Sequence, residues 1–130
     1  MSSQESTSHR FPGILKAVVL LMGVWIVYYP TTLAGFIWDD DTFLTRNPLM
    51  ASPNALERFW FSTDPPDYFP LASTHLWVQR QLWGFNPLGY HLVNIAFHGL
   101  NALLFWRILL RVAVPGAWMA AMVFALHPIQ

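Results

Sequence analysis

The stretch that decides the fold is AVVLLMGVWIVYYPTTLAGFIW, residues Ala17–Trp38, which contains no charged side chain. Roughly twenty apolar residues are what a helix needs to cross the hydrocarbon core of a bilayer. The stretch therefore predicts a membrane-spanning helix over about residues 14–38. Pro30 removes one helical hydrogen bond, which fits either a kink in the span or a proline tolerated near a helix end. The hydroxyls of Thr31 and Thr32 are placed to bond the carbonyls freed nearby.

Two more apolar segments follow this first one. The second predicted span covers about residues 90–111 and closes on Arg107 and Arg111. The third covers about residues 114–130 and opens at Pro115, which suits a first helical turn. It carries small residues that permit close helix contact in lipid, namely Ala117, Ala120, Ala121 and Ala125. The expected fold class is all-α, a polytopic membrane protein with three transmembrane helices.

The overall composition agrees with a membrane environment. Hydrophobic residues make up 55% of the chain and charged residues 11%, against roughly 45–50% and 25% in soluble domains. The formal net charge is zero, with no long basic run, so we expect no nucleic-acid partner. The absence of cysteine excludes disulfides and thiolate metal sites.

The basic residues predict the orientation. Arg10 and Lys16 precede the first span, and two arginines close the second, so the positive-inside rule places both ends of this pair in the cytoplasm. Residues 39–89 then form a large outer loop, and the serine-rich residues 1–10 form a disordered cytoplasmic tail. A signal-peptide interpretation with cleavage near residues 33–35 is less favoured, because further apolar segments follow.

The outer loop contains its own helix signals. Ser52 and Pro53 predict an N-cap followed by a first-turn proline, opening a short helix that runs through Phe61. A second helix is predicted over about Leu71–Trp83, with Gly84 as its terminator. Tryptophan and tyrosine favour the membrane–water interface, so we expect both helices to lie on the bilayer surface.

The second span carries a polar stripe. His91, Asn94, His98 and Asn101 follow a three-four-three spacing, which places them on one helix face. Polar groups in a membrane usually face a bundle interior or a wet cavity. Bonding between helices is the favoured interpretation for Asn94, His98 and Asn101, whereas a structural role and proximity to an active site are equally open for His91.

Three consecutive carboxylates, Asp39, Asp40 and Asp41, stand where the first span ends. They fit a helix-capping turn, an oxygen-ligand site for a divalent cation, or a general base beside a membrane-bound substrate. Their spacing alone leaves these possibilities open.

Four short motifs, taken in order, carry a family resemblance. They are Phe36-Ile37-Trp38-Asp39-Asp40, Tyr68-Phe69-Pro70-Leu71, Asn86-Pro87-Leu88-Gly89-Tyr90-His91-Leu92-Val93-Asn94 with His98, and Ala125-Leu126-His127-Pro128. In this order the chain resembles the membrane domain of the tetratricopeptide-repeat O-mannosyltransferase family, and among its members a bacterial relative. That family resembles GT-C-type glycosyltransferases, which take a sugar from a polyprenyl-phosphate carrier and transfer it to an acceptor outside the cytoplasm.

The resemblance implies specific roles for this chain. Residues 11–130 would be the amino-terminal part of a GT-C-like domain, inactive on their own, with a membrane lipid, a polyprenyl-phosphate-linked sugar and a hydroxyl acceptor on protein or glycan as partners. Asp39 and Asp40 would be catalytic, one of them as the base of an inverting displacement. The implied substrate-binding residues are Asp41, Tyr68, His91 and His127. No metal ligand is implied, and assistance by a divalent cation is left open.

One departure and two alternatives accompany the resemblance. Some relatives carry arginine where this chain has Phe69, so contact with a carrier phosphate would fall to another residue, such as His91 or Arg80. The alternative functions are a noncatalytic membrane anchor for a carboxy-terminal repeat domain and a membrane transporter. In each case we expect a multi-pass protein, in the inner membrane of a bacterium or the endoplasmic reticulum of a eukaryote.

Overall fold

The computed structural model describes residues 10–127, with side chains from residue 12 onward. Every regular element in this range is helical, so the predicted all-α class is confirmed for it. The α-helices are α1 (Arg10–Tyr28), α2 (Ala55–Phe61), α3 (Pro70–Trp83), α4 (Pro87–Arg111) and α5 (Ala117–Leu126). Most of the predicted cytoplasmic tail, residues 1–9, and the last positions of the third predicted span, residues 128–130, lie outside the described residues.

Two helical segments are long and apolar enough to cross a membrane. They are Pro12–Leu33, with 22 residues, and Pro87–Arg111, with 25. At about 1.5 Å rise per residue, α4 reaches about 38 Å, which exceeds the roughly 30 Å of a bilayer core. Large apolar side chains on α1 point away from the protein, and Leu15 and Ile26 are 64% and 67% exposed. These surfaces suit lipid better than water.

The first span ends earlier than the sequence predicts. The α-helix stops at Tyr28, and a 3-10 helix over Tyr29–Leu33 replaces it around Pro30, which lacks the N–H that the α-helical pattern needs. The Thr31 hydroxyl donates to the Tyr28 carbonyl at 2.7 Å, so the predicted threonine bond is confirmed. Residues 34–37 are not helical, and the helix therefore does not continue to Trp38.

The third predicted span is a shorter helix than expected in the described range. α5 has 10 residues, or about 15 Å of rise, and it begins at Ala117 instead of Pro115. The reason is Gly116, whose φ of 72° lies in the left-handed region and breaks the helical pattern before its first turn. Ala117, Ala121 and Ala125 are buried, which confirms the predicted packing face of small residues.

The described part of the chain divides into two compact units, of which the first comprises residues 10–31 and 92–127. Within it, α1 packs against α5, and the core combines Leu20 and Val24 with alanines of α4 and α5. A Cβ added at Gly23 would lie 3.1 Å from the Leu126 side chain, and one at Gly99 would lie 3.0 Å from the Leu21 side chain. Glycine at these positions permits the close approach of neighbouring helices.

Two side chains bond carbonyls at the end of α5. The His98 Nε2 atom of α4 lies 3.0 Å from the Ala125 carbonyl oxygen, and the Tyr28 hydroxyl donates to the His127 carbonyl at 2.8 Å. The Tyr28 and His98 rings meet edge to face at 4.9 Å. The last carbonyls of a helix have no hydrogen-bond partner within the helix. These two side chains therefore supply the hydrogen bonds that water supplies at exposed helix ends.

The second unit, Thr32–His91, holds α2 and α3 around a separate core. Phe59 of α2 is fully buried, and it is surrounded by Leu44, Leu49, Met50, Ala55 and Tyr90. α2 begins at Ala55 with Asn54 as its N-cap, so the predicted start at Ser52 was wrong. The reason is that the Ser52 hydroxyl donates to the Asn54 side chain at 2.6 Å in a turn before the helix. α3 ends at Gly84, whose φ of 60° confirms it as the terminator.

Candidate functional site

The three carboxylates of residues 39–41, here called the acidic segment, follow a non-helical connection of residues 34–37 and the strained residue Trp38. Trp38 has a φ of 51°, which is rare for a residue other than glycine, and its side chain is 90% exposed. Asp39 and Asp40 then turn helically into a π-helix over Asp41–Thr45. Strained residues and π-helical turns are both enriched at functional sites, and here they bracket the three carboxylates.

The three carboxylates have different surroundings. Asp40 accepts a hydrogen bond from the Ile37 backbone N–H at 2.9 Å, and its own N–H donates to the Ile37 carbonyl at 3.1 Å. Together the two bonds close a turn in which the carboxylate bonds back to the backbone three residues earlier. Asp40 is therefore occupied in shaping the turn.

Asp41 is occupied as well. Its Oδ1 atom accepts a hydrogen bond from the Thr45 hydroxyl at 2.6 Å, and its Oδ2 atom lies 3.1 Å from an Arg46 guanidinium nitrogen. Both oxygens therefore have partners, one at the end of the π-helix and one at its C-cap, Arg46.

Asp39 differs from both neighbours. Its side chain is exposed, and it makes no hydrogen bond or ion pair with any residue in the range 10–127. It is thus the carboxylate of the three whose oxygens stay open to an incoming group.

The aromatic loop that carries Tyr68 lies beside the acidic segment. The Phe69 ring lies 6.3 Å from the Phe43 ring of the π-helix. The Tyr68 hydroxyl donates to the Trp60 carbonyl at 3.1 Å, while its side chain stays 66% exposed. The two segments also share a cavity of about 430 Å³, whose lining includes Asp41, Arg46, Arg58 and Asp64.

Arg58 and Asp64, which also line this cavity, form an ion pair. Their side chains approach to 2.9 Å. The hydrogen bond from Arg58, followed by one from Ser62, holds the pKa of Asp64 below its ordinary value. Sequence reasoning did not identify this pair, because a six-residue separation across a loop gives no periodic signal.

His91 supports the connection that leads into the acidic segment. Its Nε2 atom lies 3.2 Å from the Ala34 carbonyl oxygen, to which it donates in the tautomer protonated there. Beside it, the Tyr90 ring meets the Phe36 ring edge to face at 5.2 Å. The first turn of α4 therefore holds residues 34–36, just ahead of Asp39.

The remaining predicted polar residues belong to the first unit. His127 is the C-cap of α5. His98 joins α4 to α5, which confirms the interpretation of that residue as a bond between helices. Asn94 and Asn101 are exposed and bond no residue in the described part of the chain, so their expected bonding between helices is not found there. No group of three or more carboxylate or imidazole side chains within residues 10–127 is arranged to hold a metal ion.

Comparison with known proteins identifies several curated relatives. A protein O-mannosyl-transferase of Caenorhabditis elegans is 27% identical over 137 residues, which cover 93% of this chain and 20% of the relative. The protein O-mannosyl-transferase TMTC2 of Mus musculus is 30% identical over 116 residues, covering 80% of this chain and 14% of the relative. The protein O-mannosyl-transferase TMTC3 of Homo sapiens is 26% identical over 128 residues, covering 89% of this chain and 14% of the relative.

These similarities support the O-mannosyltransferase resemblance carried by the four motifs. The chain spans 14–20% of the length of these relatives. No family model matches the chain, and no solved structure matches it significantly.

Proposed function

We propose that this chain belongs to the membrane domain of a glycosyltransferase that moves a sugar from a polyprenyl-phosphate carrier to a hydroxyl group of a protein or glycan. The transfer takes place on the extracytoplasmic face. Two observations support the proposal at the level of the protein: the similarity to proteins named O-mannosyl-transferases and the two apolar helices of membrane-spanning length. At the level of the site, one observation carries it, namely the open carboxylate of Asp39.

Asp39 is the base in this proposal. Its neighbours Asp40 and Asp41 are held by the Ile37 N–H and by Arg46, so a proton taken up by either would weaken an existing bond. Asp39 has no such bond within residues 10–127. A general base must lie within hydrogen-bond reach of the proton that it takes, and an exposed side chain after a strained turn offers that access.

The proposed chemistry is a single displacement at the anomeric carbon. The Asp39 carboxylate accepts the proton of the acceptor hydroxyl while the hydroxyl oxygen forms a bond to the anomeric carbon. The bond between that carbon and the carrier phosphate oxygen breaks at the same time, and the phosphate leaves with the electron pair. Attack opposite to the leaving phosphate inverts the anomeric configuration.

The surrounding residues have supporting roles. His91 bonds the Ala34 carbonyl and Asp40 bonds the Ile37 N–H, so both hold the backbone that leads to Asp39. The exposed Tyr68 ring offers a flat surface to a sugar. His127 is a further candidate for contact with the substrate. We place the amino terminus in the cytoplasm and residues 39–89 outside, with a third crossing built on α5, in a multi-pass protein.

The test is sugar transfer by membranes that contain the protein as the cell makes it. Labelled polyprenyl-phosphate mannose is the first donor, and label incorporated into protein is measured for the wild type and for Asp39→Asn. We expect Asp39→Asn to lower transfer by about 10²-fold or more, as the loss of a general base does, at unchanged abundance.

Two matched variants define the result. Asp40→Asn retains an oxygen that accepts from the Ile37 N–H, so the turn and the transfer should both persist. Asp67→Asn removes another exposed carboxylate of the same loop and should leave transfer unchanged. Loss in Asp40→Asn but not in Asp39→Asn would move the base to Asp40. Full transfer in both would refute this assignment, and no transfer by the wild type across a panel of sugar donors would favour a noncatalytic anchor.

A further inference from the structure

An exposed apolar surface lies on residues 33–38, here called the 33–38 segment, which leads from the first span to Asp39. Three of its large side chains point away from the protein: Leu33 is 79% exposed, Ile37 68% and Trp38 90%. The segment contains no charged residue. Large apolar side chains exposed so close together indicate contact with another apolar surface or with a membrane.

The segment is held to the second unit by its other aromatic residue. The Phe36 ring meets the Tyr90 ring edge to face at 5.2 Å and packs against the buried core around Phe59. Trp38 has a φ of 51°, a conformation that costs free energy in a residue other than glycine. This strained conformation leaves the indole almost fully exposed. Insertion of the indole into lipid offsets the cost, because it removes apolar area from water.

Backbone hydrogen bonds allow the segment to lie in a membrane surface although it is not helical. Non-helical backbone is tolerated at membrane depth only where the protein satisfies its N–H and C=O groups. The Ala34 carbonyl oxygen lies 3.2 Å from the His91 Nε2 atom. The Ile37 N–H donates to the Asp40 carboxylate at 2.9 Å, and the Ile37 carbonyl accepts from the Asp40 N–H at 3.1 Å. Residues of the second unit thus supply bonds that a continuous helix would otherwise supply.

We propose that the 33–38 segment inserts Leu33, Ile37 and Trp38 among the lipids of the leaflet in which the first span ends. The partner is lipid because the segment follows directly on Pro12–Leu33, which is apolar and long enough to cross a membrane. Tryptophan favours the membrane–water interface, and the Trp38 indole N–H bonds no residue within the range 10–127, so it is open to a headgroup oxygen. The inserted side chains set the depth of Asp39. The proposal rests on the first helix crossing a membrane and not on sugar transfer.

The experiment measures the surroundings of a nitroxide on a single introduced cysteine, with the chain in phosphatidylcholine vesicles. The sequence contains no cysteine, so each label reports one position. Collisions with oxygen, which concentrates in lipid, are compared with collisions with a polar nickel chelate. We expect the oxygen-to-nickel ratio at Ile37→Cys to exceed that at the exposed Thr63→Cys by at least about tenfold, because a polar chelate loses its hydration in an apolar phase.

The other results at Ile37→Cys decide against lipid or against the depth. A ratio equal to that at Thr63→Cys shows water contact and overturns the proposal. Few collisions with either reagent show that protein covers the segment, which also overturns it. Met22→Cys, at a position of α1 that is 57% exposed, is the reference for deep lipid, and an equal ratio there would exclude an interfacial position. Asp39→Cys should give a ratio between those at Ile37→Cys and Thr63→Cys.

A second pair of variants tests the contribution of Trp38. With the label on Ile37→Cys, Trp38→Ser should shift the oxygen-to-nickel ratio toward the Thr63→Cys value, because the residue that favours the interface is lost. Phe61→Ser removes another aromatic ring, 85% exposed, from the same unit and should leave the ratio unchanged. Equal shifts in both variants, or no shift with Trp38→Ser, would overturn the role of Trp38. No sugar donor is present, so these results are independent of the Asp39 transfer assay.

Discussion

Replacing Gly89 by alanine tests how closely the first turn of α4 approaches α3. A Cβ at Gly89 would contact three atoms of the Trp83 indole, namely Cγ, Cδ2 and Cδ1. The Cδ2 atom would lie at 2.6 Å and the Cδ1 atom at 2.7 Å. Real Cβ atoms essentially never come so close, and the obstacle is a rigid ring, not the flexible end of a side chain. The ring or the helix must therefore move.

Two opposing effects set the magnitude. Alanine is favoured over glycine in a helix by about 1 kcal/mol, whereas overpacking costs about 1–3 kcal/mol. Because three ring atoms are contacted at once, we take the upper part of that range and expect a net loss of about 1–2 kcal/mol. The assay is equilibrium unfolding of the chain in detergent micelles, followed by tryptophan fluorescence.

A matched glycine provides the control. Gly13 lies in α1, and a Cβ added there meets nothing within 4 Å, so Gly13→Ala should be neutral or stabilising by up to about 1 kcal/mol. Trp83→Leu combined with Gly89→Ala should recover most of the loss attributed to the contact. If Gly89→Ala proves as stable as the wild type, or if the loss persists unchanged with Trp83→Leu, the packing argument is refuted.

The remaining predictions concern one hydrogen bond and one ion pair. His98→Phe removes the donor to the Ala125 carbonyl and should lower the free energy of unfolding by about 1–3 kcal/mol. Asn101→Ala, at an exposed position without a partner within residues 10–127, should change the free energy of unfolding by less than about 0.5 kcal/mol. Similar losses in both variants would contradict the role of His98. The pKa of Asp64 is lowered in the folded chain, so the stabilising effect of its pairing is complete above the ordinary value of 3.8 and is lost as the pH falls through the lowered value. Carboxyl ¹³C titration should show that Arg58→Gln raises this pKa, and an unchanged titration would contradict the pairing.

Sequence patterns were sufficient for the long helices but not for their ends. Length and apolarity predict α1 and α4, because the hydrocarbon thickness requires a minimum run of apolar residues. The boundaries depend on single backbone conformations. Gly116 in the left-handed region delays α5, and the turn after Ser52 delays α2. Such conformations follow from local bonding and packing, which composition and periodicity do not report.

In the candidate site, too, the sequence predicts which residues are present but not the bonds that they form. Three adjacent aspartates are visible in the sequence, but their different roles are not, since the distinction lies in which oxygens have partners. The bonds of Asp41 to Thr45 and Arg46 depend on the π-helical turn, for which no sequence pattern was available.

The carbonyls at the end of α5 depend on groups that are synthesised long before them. Tyr28 precedes the carbonyl that it bonds by 99 residues, and His98 precedes its own partner by 27. Since synthesis proceeds from the amino terminus, both side chains have already left the ribosome when α5 emerges. α5 is therefore the last of these helices to arrive, and its docking completes bonds that α1 and α4 must leave open until then.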